Sequence, residues 1–134
     1  MTKIVQTSGK RKKAIAHATI KAGKGVVHIN NKLLSTIGPS MIQLRLKEPL
    51  LIAGNIAQEV DVNVRVHGGG VSSQADAVRL AIARGLVAYT ESNALKSTFL
   101  DYDRQLLVAD VRQNEKAKPN SHGKARAKRQ KSYR

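Results

Sequence analysis

The most regular pattern in the chain is the alternation VDVNVRVH at positions 60–67. Val60, Val62, Val64 and Val66 share one parity, and Asp61, Asn63, Arg65 and His67 share the other. A period of two puts these sets on opposite faces of a strand, one buried and one wet. A strand covered on both faces would be apolar on both parities. AIAHATIKA at 14–22 follows the same logic with smaller side chains: Ala14, Ala16, Ala18 and Ile20 oppose Ile15, His17, Thr19 and Lys21. KIVQT at 3–7 is a further short strand, and the segment from Ser8 to Lys13 reads as a cationic turn after it. Gly23-Lys24-Gly25 reads as a hairpin turn, because glycine supplies positive φ, and VVHIN, ending at Asn30-Asn31, is its return strand. The first third therefore predicts an antiparallel meander with a cationic loop at each end.

Downstream the period changes. Pro39 can open a helix that Met41, Leu44 and Arg45 continue, Pro49 is expected to break or kink it, and Leu50 to Ala53 ends at Gly54. Two short helices are expected there. After Gly68-Gly69-Gly70, the residues Val78, Ala81, Ile82, Gly85, Leu86 and Tyr89 recur at helical spacing, with Ser72 or Ser73 as the expected N-cap. Glycine inside a helix costs about 1 kcal/mol relative to alanine, so Gly85 implies a close approach to the sheet. A shorter helix is predicted over 92–101, and Leu106 to Ala109 is the last apolar stretch. The expected division is a globular domain over 1–111 and an extended basic tail over 112–134. That tail cannot bury enough surface to offset its ordering entropy and is expected to be disordered without a polyanionic partner.

Composition narrows the chemistry. The 134 residues make one domain, and with 41% hydrophobic but only 3% aromatic residues its core must be aliphatic and alanine-rich. The absence of cysteine excludes disulfides and thiolate metal sites, and fits a reducing compartment. The N-terminus lacks the apolar block of a signal peptide, and no apolar run approaches the roughly 20 residues of a bilayer span.

Charge changes the picture most. The net charge of +15 favours a polyanionic partner. Residues 1–47 carry ten basic groups and no acid; all nine acids lie between Glu48 and Glu115, among six basic groups; residues 116–134 add eight basic groups and no acid. A slightly acidic middle flanked by two cationic segments points to nucleic acid, where each neutralised phosphate adds salt-dependent affinity. Extended, residues 112–134 reach roughly 75 Å, with Gly123, Ala125 and Ala127 as small spacers.

Other chemistries fit poorly. Gly68-Gly69-Gly70 before a helix suggests an anion site, but GxxxxGK[ST] does not match and GxGxxG fails at Ser73. His17, His28, His67 and His122 lack metal-ligand spacing. No nucleophile–base arrangement is visible, so no enzyme, metal or cofactor is expected.

The stretch from Gly68 to Leu86, with Gly70, Gln74, Ala77 and Arg84-Gly85-Leu86, resembles the signature of the universal small-subunit ribosomal protein nine family. The segment from Gly9 to Ala16, the Gly23-Lys24-Gly25 turn and Ile29-Asn30 are similar to it upstream. Tyr102-Asp103-Arg104, Leu106 to Asp110 and the ending Gln130-Lys131-Ser132-Tyr133-Arg134 resemble its archaeal and eukaryotic branch, the archaeal type being the better fit. The resemblance implies an α+β two-layer sandwich: a four-stranded mixed sheet, helices on one face, a left-handed βαβ crossover and an extended basic C-terminal tail. It implies a structural constituent of the small ribosomal subunit, cytoplasmic and in the ribosome, with no membrane and no small-molecule substrate. Its partners would be ribosomal RNA in the subunit head, neighbouring head proteins and peptidyl-site tRNA, whose anticodon stem-loop the tail would reach. Lys10, Arg11, Lys12, Lys13, Gly68, Gly69, Gly70, Lys124, Arg126, Lys128 and Arg129 are expected to bind ribosomal RNA, and Lys131, Tyr133 and Arg134 tRNA. The alternatives are a nucleotide-binding protein, since the fold family includes small-molecule kinases with a glycine-rich loop, and a free RNA-binding or chaperone protein.

Overall fold

A computed structural model describes residues 2–120 and 123–126. The strands are β1 (Ile4–Arg11), β2 (Ala14–Ala22), β3 (Val27–Ile29), β4 (Lys32–Leu33) and β5 (Val60–His67). The helices are α1 (Ser40–Ala53), α2 (Asn55–Gln58), α3 (Val71–Thr90) and α4 (Asn93–Tyr102). The five strands form one mixed sheet in the order β1-β2-β5-β3-β4. All neighbours are antiparallel except β3 and β5, which are parallel and joined through β4, α1 and α2.

The parity read from the sequence sets the layers. Ala14, Ala16, Ala18 and Ile20 of β2 and Val60, Val62, Val64 and Val66 of β5 are buried under the helices, while His17, Asn63, Arg65 and His67 are exposed on the other face. Because β2 presents mostly alanine, α3 can lie close to the sheet. A Cβ at Gly85 would stand 2.4 Å from Ile20 Cδ1, so the glycine permits this approach, as its position in the stripe implies. Ala75, Ala77, Leu80 and Ala83 of α3 are buried as well, because α1 and α4 pack on its other sides. Phe99 of α4 and Leu106 complete the core with no exposed surface.

Six expectations differ from the structure. The sheet has five strands rather than four, the fifth being the two-residue β4. The first third is not a meander, because β5 inserts between β2 and β3. Residues 23–26 are therefore no hairpin turn; they step across the start of β5. Gly23 N–H donates to Glu59 O (2.9 Å) and Gly25 N–H to Val60 O (3.1 Å). The Asp61 carboxylate accepts from the amides of Lys24 (2.9 Å) and Val26 (3.1 Å). These two bonds, in that order, hold its pKa below the usual value. A Cβ on Gly23 would fall 2.0 Å from Asp61 Cγ, so glycine is required by contact rather than by turn type.

The remaining corrections are local. The strand does not end at Thr7 but continues to Arg11, leaving Lys12 and Lys13 as the turn. Pro49 neither breaks nor divides the helix: α1 runs through it, its ring is fully buried, and the packing offsets the missing N–H. The helix ends at Gly54, as expected, where φ is 61°. The N-cap of α3 is Gly70, not Ser72 or Ser73, and it makes no side-chain cap. Ser92, by contrast, caps α4 by accepting from Leu95 N–H (3.3 Å).

Candidate nucleic-acid interface

The sheet has two poles. At one, β5 begins beside Gly23–Gly25; at the other, β5 ends at His67 beside the turn between β1 and β2. That second pole collects the cationic turn, the glycine loop and the root of the tail.

The turn is Lys12-Lys13, closing the Arg11–Ala14 pair. Lys12 has φ 54°, a left-handed conformation that glycine adopts at no steric cost and lysine does not. A charge is thus kept where the backbone alone favours its loss. Lys10, Lys12 and Lys13 are exposed, and none makes an ion pair among the described residues. The glycine loop lies directly against this turn. A Cβ at Gly68 (φ 79°) would stand 2.4 Å from Lys13 O, and one at Gly69 (φ 65°) 3.1 Å from Ala14 N. Only glycines allow the two loops to touch. Gly70 has open space around it and leads into α3, whose first amides have no intrahelical partner. Gln74 Nε2 donates back to Gly68 O (3.1 Å) and fixes the loop on the helix.

Arg11 behaves differently from its lysine neighbours. The alternation of β1 turns it towards α3, and its side chain is 18% exposed. Its guanidinium pairs with Asp110 and stands 3.7 Å from Asp76. Arg45 reaches the other oxygen of Asp76 (3.3 Å). Asp110 is also held by Arg112, which donates to it through its backbone N–H (2.9 Å) and side chain (2.7 Å). Arg84 Nε donates to Leu107 O (2.9 Å) and Nη1 to Ser8 O (3.2 Å), tying the segment before Asp110 along β1. The tail therefore departs beside the Lys12-Lys13 turn. Asp76, the carboxylate nearest the glycine loop, is held by two arginines, which disfavours a magnesium-nucleotide role.

A family model described as "Ribosomal protein S9/S16" matches residues 9–134. This chain belongs to the ribosomal protein S9/S16 family. It is 52% identical over 132 residues to "Small ribosomal subunit protein uS9" of Methanothrix thermoacetophila, covering 98% of this chain and 99% of that protein. It is 48% identical over 133 residues to the protein of the same name from Methanococcus maripaludis strain C5, covering 98% and 99%. The likeness is to the archaeal type of the family.

In this S9/S16-family chain, Lys10, Lys12, Lys13, Gly68, Gly69 and Gly70 are brought together, and Arg11 is drawn inward to anchor the tail root. Lys124 and Arg126 are exposed. Arg126 Nε lies 2.9 Å from Glu115, which also pairs with Lys118 (2.7 Å). Lys128, Arg129, Lys131, Tyr133 and Arg134 lie outside the described residues. Sequence reasoning missed Asp110 and Arg112, whose signal was only a lone acid just before the tail. It also missed Arg45, hidden in a helix pattern.

The Asp110 clamp predicts a pH effect. Hydrogen bonds from the Arg112 side chain, then from its backbone N–H, with Arg11 nearby, lower the Asp110 pKa to about 2. An unfolded aspartate titrates near 3.9. The folded pKa is the lower one, so the clamp's stabilisation is complete above about pH 4 and is lost as pH falls towards 2. Melting curves of Asp110→Asn and the unmodified chain should differ at pH 5 and converge near pH 2.

Proposed function

We propose that this chain is a structural constituent of the small ribosomal subunit, in the cytoplasm, and acts by neutralising and positioning ribosomal RNA rather than by catalysis. The observation that carries the reading is that the N-terminal cationic turn and the root of the C-terminal segment, Asp110 and Arg112, lie at one pole. Lys10, Lys12 and Lys13 make no ion pair among the described residues and stand beside the open N-terminus of α3, and the tail starts from the same place. Backbone amides at a helix start and lysine ammonium groups are both phosphate ligands. Arg11 works one step removed: with Asp110 it fixes where the tail begins. From there Lys124, Arg126, Lys128 and Arg129 follow RNA, as an extended segment that RNA orders. Neighbouring proteins of the subunit head are further partners.

Lys131, Tyr133 and Arg134 are assigned to the backbone of the peptidyl-site tRNA anticodon stem-loop. This tip assignment, like the left-handed course of the crossover from β3 to β5, rests on the family resemblance. Removing Tyr133 and Arg134 should leave subunit assembly intact and weaken peptidyl-site tRNA binding or frame maintenance. Unchanged tRNA retention and unchanged fidelity in the truncated subunits would remove the tip from the mechanism.

Lys12→Gly tests the pole. Glycine accepts φ 54° without strain, so the melting temperature should not fall, while affinity for small-subunit ribosomal RNA should drop. A variant that loses stability and keeps its affinity would mark Lys12 as a structural residue.

A further inference from the structure

The sheet face opposite the helices has no assigned role. Strand register sets its side chains in rows: Ser8, His17 and Arg65 lie side by side on β1, β2 and β5, and Thr19, Asn63 and His28 on β2, β5 and β3. The face is concave, with a volume of about 1070 Å³ above it. Its one acid, Asp61, is occupied by the amides of Lys24 and Val26. Arg65 is exposed and makes no ion pair or hydrogen bond among the described residues. Among the described residues the face carries no Phe, Tyr or Trp, so any stacking of bases there is limited to the imidazoles of His17 and His28 and the guanidinium of Arg65, which take any base. What remains is a set of cationic and short polar groups, suited to phosphate and ribose hydroxyls. The row formed by Lys10, Ile15 and His67 continues this face into the Lys12-Lys13 pole.

We propose that the open sheet face is a second RNA-docking surface, gripping the ribose-phosphate backbone of ribosomal RNA through Arg65, His17, Asn63 and His28 without reading base identity. The proposal rests on the ribosomal RNA reading above and extends it from the pole to a whole face.

The test uses the full chain and a transcript of small-subunit ribosomal RNA. Two double variants are compared: Arg65→Gln with His17→Gln on the face, and Lys12→Gln with Lys13→Gln at the pole. The face variant should bind about tenfold more weakly, and its slope of log affinity against log salt should flatten by about 0.7–0.9 for the one lost permanent charge. In the complex, RNA should shield His17 and His28 from diethyl pyrocarbonate. Should the face variant bind like the unmodified chain, with His17 and His28 still reactive while the pole variant weakens, the face is not an RNA site and the pole reading survives. Equal shielding by poly-glutamate would make the face a protein-docking surface and overturn the proposal. Absence of salt-sensitive binding by the unmodified chain would instead overturn the ribosomal RNA reading itself.

Discussion

Ending the chain at Glu115 should lower its affinity for small-subunit ribosomal RNA by about a hundredfold or more at moderate salt, and leave its melting temperature unchanged. The truncation removes eight of the 24 basic residues and no acid. If even half of those charges meet phosphates, the salt dependence should flatten by roughly three units, at about 0.7 per phosphate on single-stranded segments. Stability should hold because the described part of the tail bonds to itself and not to the core: Glu115 pairs with Lys118 and Arg126, and Lys118 N–H donates to Lys124 O (3.2 Å). Exposed ion pairs of this kind contribute little. Binding titrations at several salt concentrations, with a thermal melt of each protein, give both numbers. A fall in melting temperature with preserved affinity would reverse the roles given to the two parts of the chain.

The largest loss of stability is expected from Gly9→Ala. Gly9 is buried in β1 where α3 crosses it, and an added Cβ would lie 2.3 Å from Ala77 O and 2.8 Å from Ala81 N. Both are helix backbone and cannot rotate aside. Thr7 Oγ1 also donates to Ala81 O (2.9 Å), so displacing α3 there strains a second contact. Overpacking of a core typically costs about 1–3 kcal/mol, and a clash with backbone belongs at or above the upper end. For a domain of this size that corresponds to a fall of about 10 °C or more. Gly70→Ala is the control: nothing lies within 4 Å of its Cβ, so the melting temperature should stay within a few degrees. Similar melts for the two variants would mean that β1 and α3 are not packed as described.

What was legible in the sequence follows from local periodicity. The valine parity of β5 and the alanine parity of β2 set the buried face, and the stripe through Val78, Ile82 and Leu86 placed the central helix. What was not legible depends on distant partners. Nothing in residues 23–26 announces that Asp61 will bind them, so a step across β5 looks the same as a hairpin turn. Asn30 is a similar case: its side-chain amide accepts from Val66 N–H (2.9 Å) and donates to Val66 O (3.1 Å), extending the sheet as a strand residue would. Pro49 stays helical because its ring is buried, which no local rule weighs. At the site, four adjacent cations looked equivalent. Alternation along β1 separates them, sending Lys10 outward and Arg11 towards α3, but only once the strand is known to reach Arg11.

On the proposed function, the Lys12-Lys13 turn and the tail root form one RNA-facing pole. The chain has no cysteine, so Lys12→Cys and Arg112→Cys each introduce a unique thiol for an iron–EDTA tether. Reconstituted small subunits carrying either tether can be probed by directed hydroxyl-radical cleavage of their ribosomal RNA. The predicted result is strong cutting from both positions, in overlapping stretches of RNA backbone. No cutting from position 12, or cuts from the two positions in separate regions, would mean that the turn and the tail root do not share one RNA-facing pole.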